Sequence, residues 1–255
     1  MFNEKNDGSR LVPYPSGAFV PERDIDKTPI LETRHLGIDF GGLTAVDDFS
    51  LTIGRTEIAG LIGPNGAGKT TAQVNNMGIA RTFQNIRLFD KMSVIDNVKV
   101  GLNSSTKEPF IACMTHLFGY RKAEKLAQEE AMRLLDFMHM TDVAYDEAGS
   151  LPYGAQRRLE IVRALATKPG IILLDEPAAG MNPSETAELM ENIRKIRDTF
   201  RIAVMLIEHD MNLVMGICEG ICVLNYGKVI AKGAPEDIKS NPVVIEAYLG
   251  KKKEA

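Results

Sequence analysis

The residues Gly63-Pro64-Asn65-Gly66-Ala67-Gly68-Lys69-Thr70 form a phosphate-binding loop of the G-x-x-x-x-G-K-[ST] type. They follow directly on Ile58-Ala59-Gly60-Leu61-Ile62, an apolar run that reads as a buried strand. Glycines at this spacing let successive backbone N–H groups curl around phosphate oxygens with no Cβ in the way, as the chain turns into a helix. Lys69 then lies against the β- and γ-phosphate oxygens, and the Thr70 hydroxyl is offered to Mg²⁺. The ligand expected from these residues is a nucleoside triphosphate with magnesium.

A second set of reactive residues closes another apolar run, Ile171-Ile172-Leu173-Leu174-Asp175-Glu176-Pro177. Ligands of open α/β sheets gather at such strand ends. Adjacent residues leaving a strand point different ways, so Asp175 can hold the metal while Glu176 orients or deprotonates an attacking water. The run Ile202 to Ile207 ends in Glu208-His209-Asp210, which brings His209 to a strand end, placed for the γ-phosphate or the water. A glycine-containing turn, Leu151-Pro152-Tyr153-Gly154-Ala155, leads into an amphipathic helix running toward Lys168-Pro169. That is a second anion-seeking helix start in a chain with one phosphate loop. Two copies packed head to tail account for both.

The elements that must carry these groups are legible from periodicity. Ile30 to Phe40 and Phe49 to Ile53 read as two antiparallel edge strands about Gly41-Gly42. Arg121 to Met140 has helical spacing of apolar residues at Leu126, Met132, Leu135 and Met138, the mark of a helical insertion. Apolar runs at 171–174, 202–207 and 221–224, separated by helical patterns, predict a parallel sheet of βαβ units. The expected fold is α/β, a RecA-like P-loop NTPase core with an antiparallel β edge and an inserted α-helical subdomain over 88–156. Residues 1–27 read as a tail before a single domain from 28 to 255.

Composition narrows the function classes. The net charge of −4, with basic and acidic residues interspersed, excludes the basic footprint of a nucleic-acid binder. Three cysteines, Cys113, Cys218 and Cys222, show no C-x-x-C spacing, so neither a disulfide framework nor a zinc site is expected. No signal sequence and no run near the ~20 apolar residues of a membrane span is present. The expected location is cytoplasmic, peripheral on the inner face of the plasma membrane, with any membrane span supplied by partners.

With these motifs in order, the chain resembles the ATP-binding subunits of ABC transporters from Thr28 onward. The resemblance is strongest to the ATPases of branched-chain amino acid importers, through Arg81-Thr82-Phe83-Gln84-Asn85-Ile86-Arg87-Leu88-Phe89, Glu176 to Pro183, Ile207 to Met211 and Asn241-Pro242 to Gly250. It implies that Gly63, Pro64, Asn65, Gly66, Ala67, Gly68, Lys69, Thr70 and Thr71 hold ATP. It implies that Phe40 stacks on adenine with Val46 beside it, the competing reading of Phe40 being a core residue at a strand end. Gln84 becomes the group that reaches Mg²⁺ and the water, and so joins Glu176 and His209 as catalytic and Thr70 and Asp175 as metal-binding; its competing reading is a solvated loop residue. Tyr153, Gly154 and Ala155 clasp the nucleotide of a second ATPase subunit, and Asn182 lies in the loop that speaks across that dimer. The Phe83 to Phe89 stretch is where the family receives its membrane permeases, of which two are implied. A periplasmic or extracellular substrate-binding protein is implied behind them, and nucleic acid is not. The rival readings are a lipopolysaccharide-type exporter ATPase, or an ABC ATPase of DNA repair or translation. The last two require a long heptad insertion or a second head, and the sequence has neither.

Three departures from the family pattern stand out. Pro152 and Tyr153 replace the usual serine and glycine of the signature, so backbone N–H groups must carry more of the phosphate contact. Asn182 replaces an aspartate and keeps hydrogen-bonding capacity without the charge. Only six residues, Ala72 to Met77, separate Thr71 from Gly78. Six helical residues reach ~9 Å, too short for the helix that should cross back over the sheet. A stretch near Ala72/Gln73 is therefore expected to be missing, the other reading being a true deletion.

Overall fold

The computed structural model describes residues 29–41, 43–64, 79–84, 86–105 and 120–249. They fall into two compact units, one drawn from Met1–Asn75 and Arg194–Ala255, the other from Asn76–Ile193.

In the first unit, β3 (Ile58–Ile62) runs parallel to both β6 (Ala203–Glu208) and β7 (Gly220–Asn225). Every residue of β3 and β6 is buried, which is why both read as continuous apolar runs rather than alternating ones. Helix α5 (Met211–Ile217) packs so close to β3 that a Cβ on Gly60 would meet Val214 Cγ1 at 2.9 Å and Cys218 Sγ at 3.0 Å. Cys218 and Cys222 are buried small apolar residues, as expected, and burial pushes the Cys222 thiol up to about 12.

β8 (Lys228–Gly233) pairs antiparallel with β7 through the two-residue turn Tyr226-Gly227, both at positive φ. That is the hairpin geometry whose twist matches the flanking strands. β1 (Leu31–Phe40) and β2 (Leu43–Ile53) form the antiparallel pair foreseen at the Gly41-Gly42 break. β2 begins six residues before the apolar run that marked it, because Leu43 to Asp48 pair with β1 through an irregular register. The short helices α6 (Pro235–Ser240) and α7 (Pro242–Leu249) end the described chain.

In the second unit, β4 (Ile79–Arg81) runs parallel to β5 (Ile171–Asp175), with Arg81 opposite Leu173. Helices α1 (Val94–Ser105), α2 (Tyr120–Phe137) and α3 (Tyr153–Ala166) pack on one another. α1 crosses α3 so tightly that a Cβ on Gly101 would lie 2.5 Å from the Arg163 carbonyl oxygen. α2 stops at Phe137, short of Met140. Leu135 and Met138 are buried, whereas Leu126, expected on the same apolar face, is 56% exposed. α4 (Pro183–Phe200) opens in this unit.

Candidate nucleotide site

Strand register assembles the groups within each unit. In the first, Ile62 pairs with Glu208, so Gly63 and His209 leave parallel strands at the same edge. Gly63 and Pro64 are the described start of the phosphate loop, while Asn65, Gly66, Ala67, Gly68, Lys69, Thr70, Thr71 and the stretch near Ala72/Gln73 lie outside the described residues. The His209 side chain is about half exposed, and its Nδ1 lies 3.7 Å from Oε2 of the buried Glu208. Asp210 caps α5 by accepting from the N–H groups of Asn212 at 2.8 Å and Leu213 at 3.4 Å, which fixes the turn carrying His209. Val46 is fully buried in β2; Phe40 ends β1. Tyr248 of α7 is half-buried near the Gly63 backbone, and desolvation pushes its hydroxyl up to about 12.

In the second unit the two carboxylates closing β5 are met by the last residue of β4 and by the loop that leaves it. Gln84 Nε2 donates to Glu176 Oε2 at 3.0 Å, bringing together two of the three expected catalytic residues. Arg81 Nη2 donates to Asp175 Oδ2 at 2.9 Å. Glu176 has φ 46°, in the left-handed region that a side chain with a Cβ adopts at a cost. Its turn is held by Arg157, a wholly buried guanidinium on α3 that donates to the carbonyl oxygens of Asp175 at 2.9 Å and Glu176 at 2.8 Å. The same side chain bonds the Phe83 carbonyl and the Glu160 carboxylate, the latter at 2.7 Å. Sequence reasoning missed Arg81, Arg157 and Glu160.

The signature turn starts α3 with Pro152 at the cap and no side-chain cap bond. Ala155 and Gln156 donate back to the Pro152 carbonyl at 2.9 and 3.0 Å, whereas the N–H groups of Tyr153 and Gly154 have no acceptor among the described residues. Tyr153 is 46% exposed, and its ring lies over Gly180. Asn182 accepts from the N–H groups of Ser184 and Glu185 at 2.9 and 3.0 Å while Glu185 accepts from the Asn182 N–H at 2.9 Å, a reciprocal cap that starts α4. Asparagine performs this capping role without the charge of aspartate.

The ABC transporter profile matches residues 46–179, just over half of the chain. The chain belongs to the ABC transporter family. It is an ATP-hydrolysing cassette of that family, and its residues 228–254 match the profile of branched-chain amino acid ATP-binding cassette transporters. The high-affinity branched-chain amino acid transport ATP-binding protein BraF of Pseudomonas aeruginosa is 41% identical to this cassette over 250 positions, covering 87% of the cassette and 98% of BraF. The lipopolysaccharide export system ATP-binding protein LptB of Acidithiobacillus ferridurans is 32% identical over 234 positions, covering 87% and 97%. A solved ATP-binding cassette of an ABC transporter in its ADP conformation matches with a TM-score of 0.73 at 26% identity, covering 88% of this chain and 100% of that one. The share of this cassette aligned with BraF holds fewer residues than the 250 aligned positions, so BraF carries residues inside that stretch with no counterpart here. Among the described residues no helix is long and apolar enough to cross a membrane.

Proposed function

We propose that this cassette hydrolyses ATP·Mg²⁺ to drive import of branched-chain or related hydrophobic amino acids, as one of two head-to-tail ATPase subunits beneath two membrane permeases. The observation that carries the hydrolytic reading is the Gln84 to Glu176 contact of 3.0 Å at the end of β5. The carboxylate oxygen that accepts from the Gln84 amide can accept from a water in its place. Glu176 takes the proton of the attacking water, Gln84 orients that water once released, and His209 donates to the γ-phosphate. Tyr153 and Gly154 offer their backbone N–H groups to the γ-phosphate held by the sister subunit. Loss of that phosphate weakens the clasp and lets the subunits part.

The donor set suits a divalent ion: the Asp175 carboxylate is 3% exposed, and beside the Oδ2 that accepts from Arg81 it offers an Oδ1 with no donor among the described residues. Asp175, Thr70 and Gln84 would hold Mg²⁺, which neutralises charge developing on the β- and γ-phosphates. A permease seats on the Phe83 to Phe89 stretch in this reading, supported by the Phe89 ring, 48% exposed with the Arg163 guanidinium 5.6 Å from its centroid. The amino-acid cargo is supported by the match at residues 228–254 and by the greater identity to BraF than to LptB.

Two measurements test this reading. In vesicles holding the cassette with its permease pair and binding protein, leucine, isoleucine or valine should raise ATP hydrolysis. Indifference to amino acids with stimulation by lipopolysaccharide would favour the exporter instead. We further propose that the natural protein carries the stretch absent near Ala72/Gln73. Peptide mapping across Thr71 to Arg81 should recover additional residues there, and a peptide reading straight from Thr71 into Ala72-Gln73-Val74 would establish a true deletion.

A further inference from the structure

The carboxylate best suited to the metal already has a cation on it. Asp175 is 3% exposed, its Oδ2 accepts from Arg81 Nη2 at 2.9 Å, and its Oδ1 has no donor among the described residues. Arg81 is the last residue of β4, so its guanidinium and the Gln84 amide, three residues on, fasten the same loop to the two carboxylates that close β5. The Phe83 ring stands between them in sequence, with the Arg81 guanidinium 4.8 Å and the Arg87 guanidinium 4.2 Å from its centroid. An aromatic face of this kind attracts a guanidinium independently of its carboxylate.

We propose that Arg81 is the standing counter-ion of Asp175, and that Mg²⁺ competes with it for this carboxylate. The proposal rests on the reading of Asp175 as a metal anchor. Two cations competing for one buried carboxylate repel each other at short range, so the arriving metal weakens the Arg81 contact, leaving the guanidinium the Phe83 ring it already lies against. As Glu176 turns to the attacking water it gives up the Gln84 amide. Both side-chain ties of residues 81–84 to the end of β5 then open together, while the backbone between them stays held by the Thr82 N–H on the Leu173 carbonyl at 2.9 Å and the Phe83 N–H on Glu160 Oε1 at 3.2 Å. Arg81 is a positioning residue here, acting through Asp175.

The test uses the Glu176→Gln chain, which removes turnover from the readout, and follows the melting midpoint in ATP as Mg²⁺ is titrated. Adding Arg81→Met should lower the half-saturating Mg²⁺ by about tenfold or more, because the competing charge is gone. Arg81→Gln keeps a hydrogen-bond donor without the charge and should move the same way, so it serves if the methionine variant does not fold. Arg81→Lys should stay near the parent. Mg²⁺ alone, without nucleotide, should raise the melting midpoint of the uncharged variants and not of the parent. An unchanged or greater Mg²⁺ requirement in the uncharged variants would overturn the proposal while leaving the nucleotide reading intact. Failure of ATP to raise the midpoint of the parent at any Mg²⁺ concentration would remove that reading, and the proposal with it.

Discussion

Glu176→Gln is expected to bind ATP with unchanged affinity and to lose about 10²-fold or more in turnover, the usual worth of a positioned general base. The substitution is nearly isosteric. Its amide can still meet Gln84, either as donor or as acceptor, so the contact between the β4 loop and the β5 end survives. What disappears is the capacity to take a proton from water. The backbone argues in the same direction: a residue held at φ 46° directly after a buried strand aims its side chain by constraint, and the substitution leaves that constraint untouched. Steady-state phosphate release against a fluorescent-ATP titration separates the two quantities. Turnover at the parent level would move the water-activating role away from Glu176, and a parallel loss of ATP affinity would show that its charge acts in binding.

Much of this site was legible because buried parallel strands are written as uninterrupted apolar runs. Ile58–Ile62, Ile171–Asp175 and Ala203–Glu208 each announce themselves, and the polar residues at their ends inherit a common edge from parallel register. That is how the pairing of Ile62 with Glu208 brings His209 to the edge where the phosphate loop begins. β8 was less visible, since Tyr226 is an uncommon choice at positive φ and gives no warning of a tight hairpin. The buried polar framework was not legible at all. Arg81 lies 94 residues from Asp175, and nothing local marks it as the partner of a distant carboxylate. Arg157 and Arg158 look alike in sequence, yet Arg157 is wholly buried while Arg158 reaches outward to Glu188. One helical position decides which arginine enters the core, and that choice depends on the carbonyl groups awaiting it.

Arg157→Met should be the most destabilising single change in the second unit. It strips the guanidinium from the Phe83, Asp175 and Glu176 carbonyl oxygens and leaves the Glu160 carboxylate, 2% exposed, without its charge partner. Removing one member of a buried pair costs about 3–5 kcal/mol, enough to lower the melting midpoint by about 10 °C. Arg157→Lys should recover little, because one ammonium cannot reach four acceptors arranged for a planar fork. Combining Arg157→Met with Glu160→Met removes the orphaned charge and should restore much of the lost stability. It should not restore turnover, because the carbonyl oxygens on either side of the Glu176 turn still lack their donor. Calorimetry and ATP turnover on the three variants distinguish a guanidinium that merely balances Glu160 from one that shapes the turn. If the double variant hydrolyses ATP at the parent rate, Arg157 has no part in aiming Glu176.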